Sequence, residues 1–323
     1  MRVLVTGGAG YIGSVTVAAL LESGHEVAVY DSLVKGHRGA VAPGARLVVG
    51  DLADGGNIEK ALRAHRAEAV IHFAAYSLVG ESVEQPARYF LNNVSNSLTL
   101  LEAMRAAGAG RIVFSSSAAV YGSPRRMPIS EDDPAEPINP YGESKLYVEK
   151  MLHRYHCAYG AECVSLRYFN AAGASRDYGE DHDPETHLIP MVLRVASGKI
   201  KGVRVFGGDY ETPDGTCVRD YVDVRDLAAA HILALGCRGE HTYNLGDGRG
   251  FSVREVVEAA RRVTGREIAE EMGPRRPGDP AVLIAGADRI RGELGWEPRR
   301  TGLDEIIGSA WEWMRRYPEG YID

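Results

Sequence analysis

Short apolar runs alternate with stretches of helical periodicity through the first half of the chain. Val3–Val5, Glu26–Tyr30, Ala45–Val49, Ala69–Phe73, Arg111–Phe114 and Cys163–Arg167 read as strands. Their apolar residues mostly run consecutively, as expected of strands covered on both faces. Between them, Tyr11–Ser23, Asn92–Ala107 and Tyr141–Tyr159 read as helices, the first closed by Gly24. Such alternation predicts βαβ units and one parallel sheet. Gly122–Pro140 breaks the rhythm with five prolines. It is expected to be an ordered loop over the top of the sheet, because chemistry-bearing residues flank it. Beyond Phe169-Asn170 the elements shorten and long polar loops such as Gly173–Thr186 separate them. The pattern predicts an α/β protein in two parts, a sheet domain over 1–169 and a smaller α/β domain over 170–323.

Composition narrows the setting. A chain of 323 residues suits two domains sharing an interface. Its net charge of −7 and lack of a basic stripe argue against nucleic acid as a partner. No run approaches the roughly 18 apolar residues of a membrane span. The N-terminus runs directly into a glycine turn, unlike a signal peptide. A cytoplasmic protein is expected. Cys157, Cys163, Cys217 and Cys237 are scattered without a Cys-x-x-Cys pair and read as free thiols.

Thr6-Gly7-Gly8-Ala9-Gly10-Tyr11-Ile12-Gly13 follows the first strand and opens the first helix. Glycines there let the backbone turn tightly and approach a pyrophosphate, and the helix start offers free N–H groups to the anion. Glycine turns alone are common. The strand before, the helix after and Asp31 closing the next strand make this one a dinucleotide site on a Rossmann-type, doubly wound parallel sheet. Asp31 can accept from both ribose hydroxyls and would repel a 2′-phosphate, so NAD is favoured over NADP. Lys35 reads as a solvated loop lysine.

Tyr141 and Lys145 stand four residues apart on one helix face. An ammonium near a phenol favours the phenolate, which predicts a Tyr141 pKa lowered toward neutrality and a usable base. Ser115-Ser116-Ser117 ends a parallel strand, where open α/β sheets bind ligands.

Together these residues resemble the extended short-chain dehydrogenase/reductase superfamily. Further stretches resemble its UDP-galactose 4-epimerases: His72-Phe73-Ala74-Ala75, Val79-Gly80-Glu81-Ser82-Val83, Asn92-Asn93-Val94, Phe114 through Gly122, and Arg167-Tyr168-Phe169-Asn170. Asp214 through Tyr221, Tyr243-Asn244-Leu245-Gly246 and Arg275-Arg276-Pro277-Gly278-Asp279 extend the match over essentially the whole chain. The resemblance implies reversible 4-epimerisation of UDP-glucose and UDP-galactose through a transient 4-keto sugar and bound NAD, with N-acetylated UDP-hexosamines as further substrates. It implies Tyr141 as base, Ser117 as the bridge to the sugar 4-OH, and Lys145 also on the nicotinamide ribose. Gly7, Gly10, Tyr11, Ile12 and Gly13 would line the pyrophosphate. Asp31 and Ser32 would meet the adenine ribose, and Asp51 and Leu52 the adenine. Phe73, Ala74, Asn92, Ser115, Tyr168 and Phe169 match other cofactor contacts. Asn170, Leu188, Phe206, Arg219, Arg276, Asp279 and Leu283 match UDP-sugar positions, the two arginines suiting a pyrophosphate. The same resemblance implies a homodimer built on helices near 92–107 and 141–159.

The chain departs from the pattern at Ser77, where some members carry a cofactor-contacting lysine, and at His187, where some carry asparagine. A 4,6-dehydratase would carry an Asp-Glu pair where Ala118 and Ala119 stand. A UDP-glucuronate 4-epimerase or decarboxylase is an alternative sharing the 4-keto step. A non-catalytic NAD-sensing regulator would be expected to have lost Tyr141 or Lys145. No metal is expected: His153, His156 and Cys157 read as a helix face, and Glu180-Asp181-His182-Asp183 as a solvated loop. Trp311, Trp313 and Tyr317 read as helix packing.

Overall fold

The computed structural model describes residues 1–276 and 279–322. In chain order the first half comprises β1 (Arg2–Thr6), α1 (Tyr11–Glu22), β2 (Glu26–Asp31), β3 (Arg46–Val49), α2 (Gly55–His65), β4 (Ala69–His72), α3 (Val79–Glu84) and α4 (Pro86–Tyr89). After these come α5 (Asn96–Ala107), β5 (Arg111–Ser117), α6 (Pro140–Tyr159) and β6 (Glu162–Tyr168). The second half adds β7 (Asn170–Ala172), α7 (Leu188–Ala196), β8 (Val203–Phe206), β9 (Val218–Arg219), β10 (Tyr221–Asp223) and α8 (Val224–Ala234). It ends with β11 (Glu240–Leu245), β12 (Phe251–Ser252), α9 (Val253–Thr264), β13 (Glu270–Gly273), β14 (Val282–Leu283), α10 (Asp288–Leu294) and α11 (Leu303–Arg316).

Seven parallel strands form the main sheet in the order β11-β6-β5-β4-β1-β2-β3. Burial on both faces explains the consecutive apolar runs. Val3 and Val5 point into a core shared with α1 and α8, and Leu4 into one shared with α2 and α5. Chain direction across the sheet reverses between β1 and β4, and a doubly wound sheet opens its ligand crevice at such a point. The C-terminal ends gathered along that edge are Thr6, Asp31, His72, Ser117, Tyr168 and Leu245.

The sheet takes its seventh strand from 240–245 and a covering helix, α8 against α1, from 224–234. Both lie beyond the expected boundary at Phe169-Asn170, so the two parts interleave. The second part packs its own core from α7, α9 and α11, with small sheets β10-β7, β12-β9-β14 and β13-β8. Trp313 is buried there with Tyr317 and Tyr321 ranged around it.

The fifth strand runs to the serines as expected, and one helix differs from expectation. β5 ends in Ser115, Ser116 and Ser117, which pair with β6 alone, since the pairing with β4 stops at Phe114. The helix expected from Asn92 begins at Pro86 and passes through a π-helical turn at Phe90–Ser95. That wide turn, a feature common at functional sites, turns Asn93 inward. Its side chain there bonds the Tyr76 backbone and Ser144.

Candidate active site

The glycine loop is built around two contacts that a Cβ would fill. Gly7 has φ +72°, and a Cβ there would lie 2.6 Å from the Ala74 nitrogen of the loop after β4. A Cβ on Gly13 would lie 2.2 Å from the Gly7 carbonyl. α1 therefore presses directly against the turn. Its first turn carries neither an acidic residue nor a side-chain cap, and Gly10 occupies the N-cap. The amides of Tyr11, Ile12 and Gly13 and the positive end of the helix dipole face outward, which suits a pyrophosphate. Tyr11 is buried, and its hydroxyl donates to the Gly173 carbonyl at 2.6 Å, tying the loop to the second part.

Asp31 is buried at the tip of β2 and accepts from the Ala9 and Leu33 amides at 3.0 and 2.9 Å. Burial raises its pKa against those two bonds. Each oxygen keeps a lone pair for a further donor. Ser32 beside it is exposed, and Lys35 donates to the Asp183 carbonyl. Asp51 accepts from the Ala53 amide at 2.8 Å, with Leu52 buried next to it. Ser77 is exposed.

Lys145 is buried and donates to the Ser115 carbonyl at 2.8 Å. Its nitrogen lies 5.8 Å from the Tyr141 ring centre. Ser117 neighbours Tyr141 closely enough to pull its pKa down, and its Oγ accepts from the Ala119 amide at 3.1 Å. Asn139 caps α6 by accepting from the Gly142 amide at 2.9 Å, and Pro140 occupies the first turn, which fixes where Tyr141 points. The expected lowering of Tyr141 is corrected here. Burial raises the phenol's pKa, opposed by Ser117, and burial pushes Lys145 down to about 7 against the pull of Glu149. In the protein alone both groups are driven toward their neutral forms, and desolvation outweighs their attraction.

Around this pair, Ser115 Oγ and the Tyr168 hydroxyl are 2.6 Å apart. Phe73 lies tilted at 41° against the buried His231, ring centres 4.6 Å apart, and Asn92 donates to Asn93 at 2.9 Å. Behind the serines stands a network that the sequence reading missed. Ser116 donates to Glu149 at 2.5 Å, and Arg167 grips Glu149 through two nitrogens at 2.9 and 2.6 Å. Arg167 also reaches Tyr121, which donates to Asn244 at 2.7 Å. A usable signal existed: Glu149 follows Lys145 by the same four residues that separate Lys145 from Tyr141.

The residues expected to meet the UDP-sugar fall into two neighbouring groups. Arg219 is ion-paired with Asp279, so two of the residues expected at the UDP-sugar hold each other. Arg276 lies over the Phe206 ring at 4.1 Å. Leu188 opens α7 and packs on the Val205–Tyr210 cluster. Pro277 and Gly278 of the matching stretch lie outside the described residues. The second group holds Leu283, which packs together with the cofactor-side Phe169 on Val120, Tyr121 and Ile129. Leu283 pairs in register with Arg219, and Asn170 donates to the Asp220 carbonyl at 3.0 Å.

The acidic loop, expected to be solvated, is so only in part, with Asp183 exposed and Glu180 not. Glu180 and Glu185 turn inward, their side chains 8% and 1% exposed, against His182 and His187. His187 is pushed up to about 9, burial opposing and Glu180 outweighing it. On α6, His153 faces Glu240 at 2.8 Å and His156 bonds the Ala161 carbonyl, as a helix face does. The four cysteines are unpaired.

A tyrosine, a buried lysine and a serine hydroxyl on the same sheet edge as a glycine loop at a helix start are a set that dinucleotide-dependent enzymes oxidising a carbinol carbon can use. The chain belongs to the NAD dependent epimerase/dehydratase family, whose model matches residues 3–246. It is 50% identical to the UDP-glucose 4-epimerase of Lacticaseibacillus casei, over 100% of this chain and 99% of that one. A crystal structure of a UDP-glucose 4-epimerase matches with TM-score 0.97 and 48% identity, covering 99% of each chain. The Bifidobacterium longum UDP-glucose 4-epimerase, solved with NAD+ and UDP, matches with TM-score 0.95 and 39% identity, over 99% of this chain and 100% of that one.

Proposed function

We infer that this protein interconverts UDP-glucose and UDP-galactose by inverting C4 through a transient 4-keto sugar, with NAD as its cofactor. The observation that carries the reading is the Ser117–Tyr141–Lys145 set, placed on the same sheet edge as the Gly7–Gly13 cradle. The relatives give it its substrate and do not favour the uronate readings.

In this proposal Tyr141 takes the proton of the sugar 4-OH through Ser117, and Lys145 supplies the positive charge that makes the phenolate accessible. NAD, when bound, would supply a hydride acceptor and donor at C4. Gly7, Gly10, Tyr11, Ile12 and Gly13 hold its pyrophosphate; Asp31 and Ser32 the adenine ribose; Asp51 and Leu52 the adenine. Phe73, Ala74, Asn92, Ser115, Tyr168 and Phe169 border the rest. Arg219 and Arg276 hold the UDP diphosphate, with Asn170, Leu188, Phe206, Asp279 and Leu283 around the uridine and sugar. A fixed UDP lets the keto sugar turn and present its other face while the cleft groups stay still, so binding and orientation are the protein's contribution. Residues 1–169 serve mainly the cofactor and 170–323 mainly the UDP-sugar.

We place the protein in the cytoplasm; no helix among the described residues is long and apolar enough to cross a membrane. We propose a homodimer through α5 and α6, where Leu98, Tyr147 and Tyr159 are exposed. Incubation with UDP-galactose, with no NAD added, tests the activity. UDP-glucose is the expected product; no conversion, or a keto sugar accumulating as the end product, would overturn it.

A further inference from the structure

The loop between β7 and α7 brings two imidazoles and two carboxylates together, next to Tyr11 and Leu188 but using none of the side chains assigned to the reaction. Glu180, His182, Glu185 and His187 each offer one ligand atom, and the four atoms lie within 4.8 Å of one another. Glu180 Oε1 is 3.0 Å from His182 Nδ1 and 2.5 Å from His187 Nδ1. The Glu185 oxygens lie 3.6 Å from His187 Nδ1 and 4.0 Å from His182 Nδ1. A tetrahedral ion with bonds of 2.0–2.1 Å sets its ligand atoms about 3.3 Å apart. The separations straddle that value, so small side-chain rotations close the set.

The local fold holds the donors ready. Glu185 Oε1 accepts from the Thr186 and His187 amides at 2.7 and 2.8 Å, which leaves Oε2 toward His182. Gly179, just before Glu180, is packed so tightly on Trp313 that a Cβ would lie 2.3 Å from the indole. The His182 ring stands edge-on to Tyr11 at 6.2 Å. The charge also balances: a divalent cation that displaces any proton held on the two imidazoles brings the set, with its two carboxylates, to net zero. Imidazole and carboxylate together suit first-row divalent metals, zinc foremost.

We propose that Glu180, His182, Glu185 and His187 form a structural binding site for one divalent transition-metal ion of the zinc class. The ion clips the loop 173–187 between the helix that opens the glycine cradle and the first turn of α7. Four protein ligands complete a tetrahedral shell, so the site is a clip and not a catalytic centre. The proposal rests on this cluster alone and stands or falls apart from the epimerase reading.

The test uses full-length protein without a purification tag, produced with zinc and dialysed against metal-free buffer, then analysed for metal by mass spectrometry. A single zinc per chain is expected. Cobalt replacing it should show the strong visible bands of a tetrahedral site. His182→Gln and Glu180→Gln should weaken zinc binding by at least the roughly 10–100-fold that loss of an outer-shell partner alone costs. His153→Gln, on the exposed face of α6, should retain it. Should the cluster variants misfold, titrating zinc into chelator-stripped wild type must raise its melting temperature and saturate at one equivalent per chain. Wild type that leaves dialysis without zinc and shows no saturable rise would overturn the site. So would folded variants that keep wild-type zinc.

Discussion

Replacing Lys145 with methionine tests the electrostatics of the proposed base. The ammonium lies 5.8 Å from the Tyr141 ring centre, with both groups desolvated. A unit charge at that distance, at an effective dielectric of about 20, favours the phenolate by about 3 kcal/mol, or about 2 pKa units. The two titrate as a pair: a phenolate raises Lys145, and the ammonium lowers Tyr141, by the same coupling. The sign follows directly. Burial alone raises Tyr141, the active form is the phenolate, and removing the cation raises it further. The acid limb of the kcat profile should move up by about 2 units, so activity on that limb falls about 100-fold and recovers at alkaline pH. The assay is turnover of UDP-galactose across pH in wild type and Lys145→Met, with bound cofactor quantified in each. A uniform drop at every pH with the limb unmoved would show that Lys145 only positions the cofactor, and would refute the charge argument.

Tyr141→Phe should lower turnover by roughly 10²–10⁴-fold, the range of a lost general base, while calorimetry still detects UDP binding; turnover close to wild type would remove Tyr141 from the chemistry. Gly13→Ala would put a Cβ 2.2 Å from the Gly7 carbonyl. Overpacking of about 1–3 kcal/mol should weaken cofactor retention roughly 5- to 150-fold, measured by mass spectrometry of the supernatant after denaturation. NAD, not NADP, is the species expected there from Asp31. Leu283 packs beside Phe169 and Tyr121, and a residue smaller than tyrosine leaves room for a 2-acetamido group. Wild type should turn over UDP-N-acetylglucosamine more slowly than UDP-glucose, and Leu283→Tyr should abolish only the former. An unchanged ratio of the two activities would place Leu283 away from the sugar.

The sheet, the cradle and the Tyr141–Lys145 pair were legible because each rests on local pattern: apolar runs, a glycine-rich turn between strand and helix, a four-residue helical spacing. What was not legible depends on distance and burial. Tyr141 was expected to be lowered by its neighbour, yet the amount of water removed from each group is a tertiary quantity, and it reverses the sign. Glu180 reads as solvent-facing because it sits in a polar run. Only packing on Trp313 and Tyr11 turns that run inward. The Arg167–Glu149 pair joins β6 to α6, and nothing local in either segment announces the other. The seventh strand escaped for the same reason, since its partner β6 is about 70 residues away in the chain.

The most direct test of the account follows the hydrogen itself. UDP-galactose carrying deuterium at C4 is incubated with the purified protein in ordinary water, with no NAD added. If C4 is inverted by removal and return of the same hydrogen within one closed site, the UDP-glucose formed keeps its deuterium at C4. Product with protium at C4 would mean exchange with solvent and inversion by proton abstraction, and would contradict the central claim.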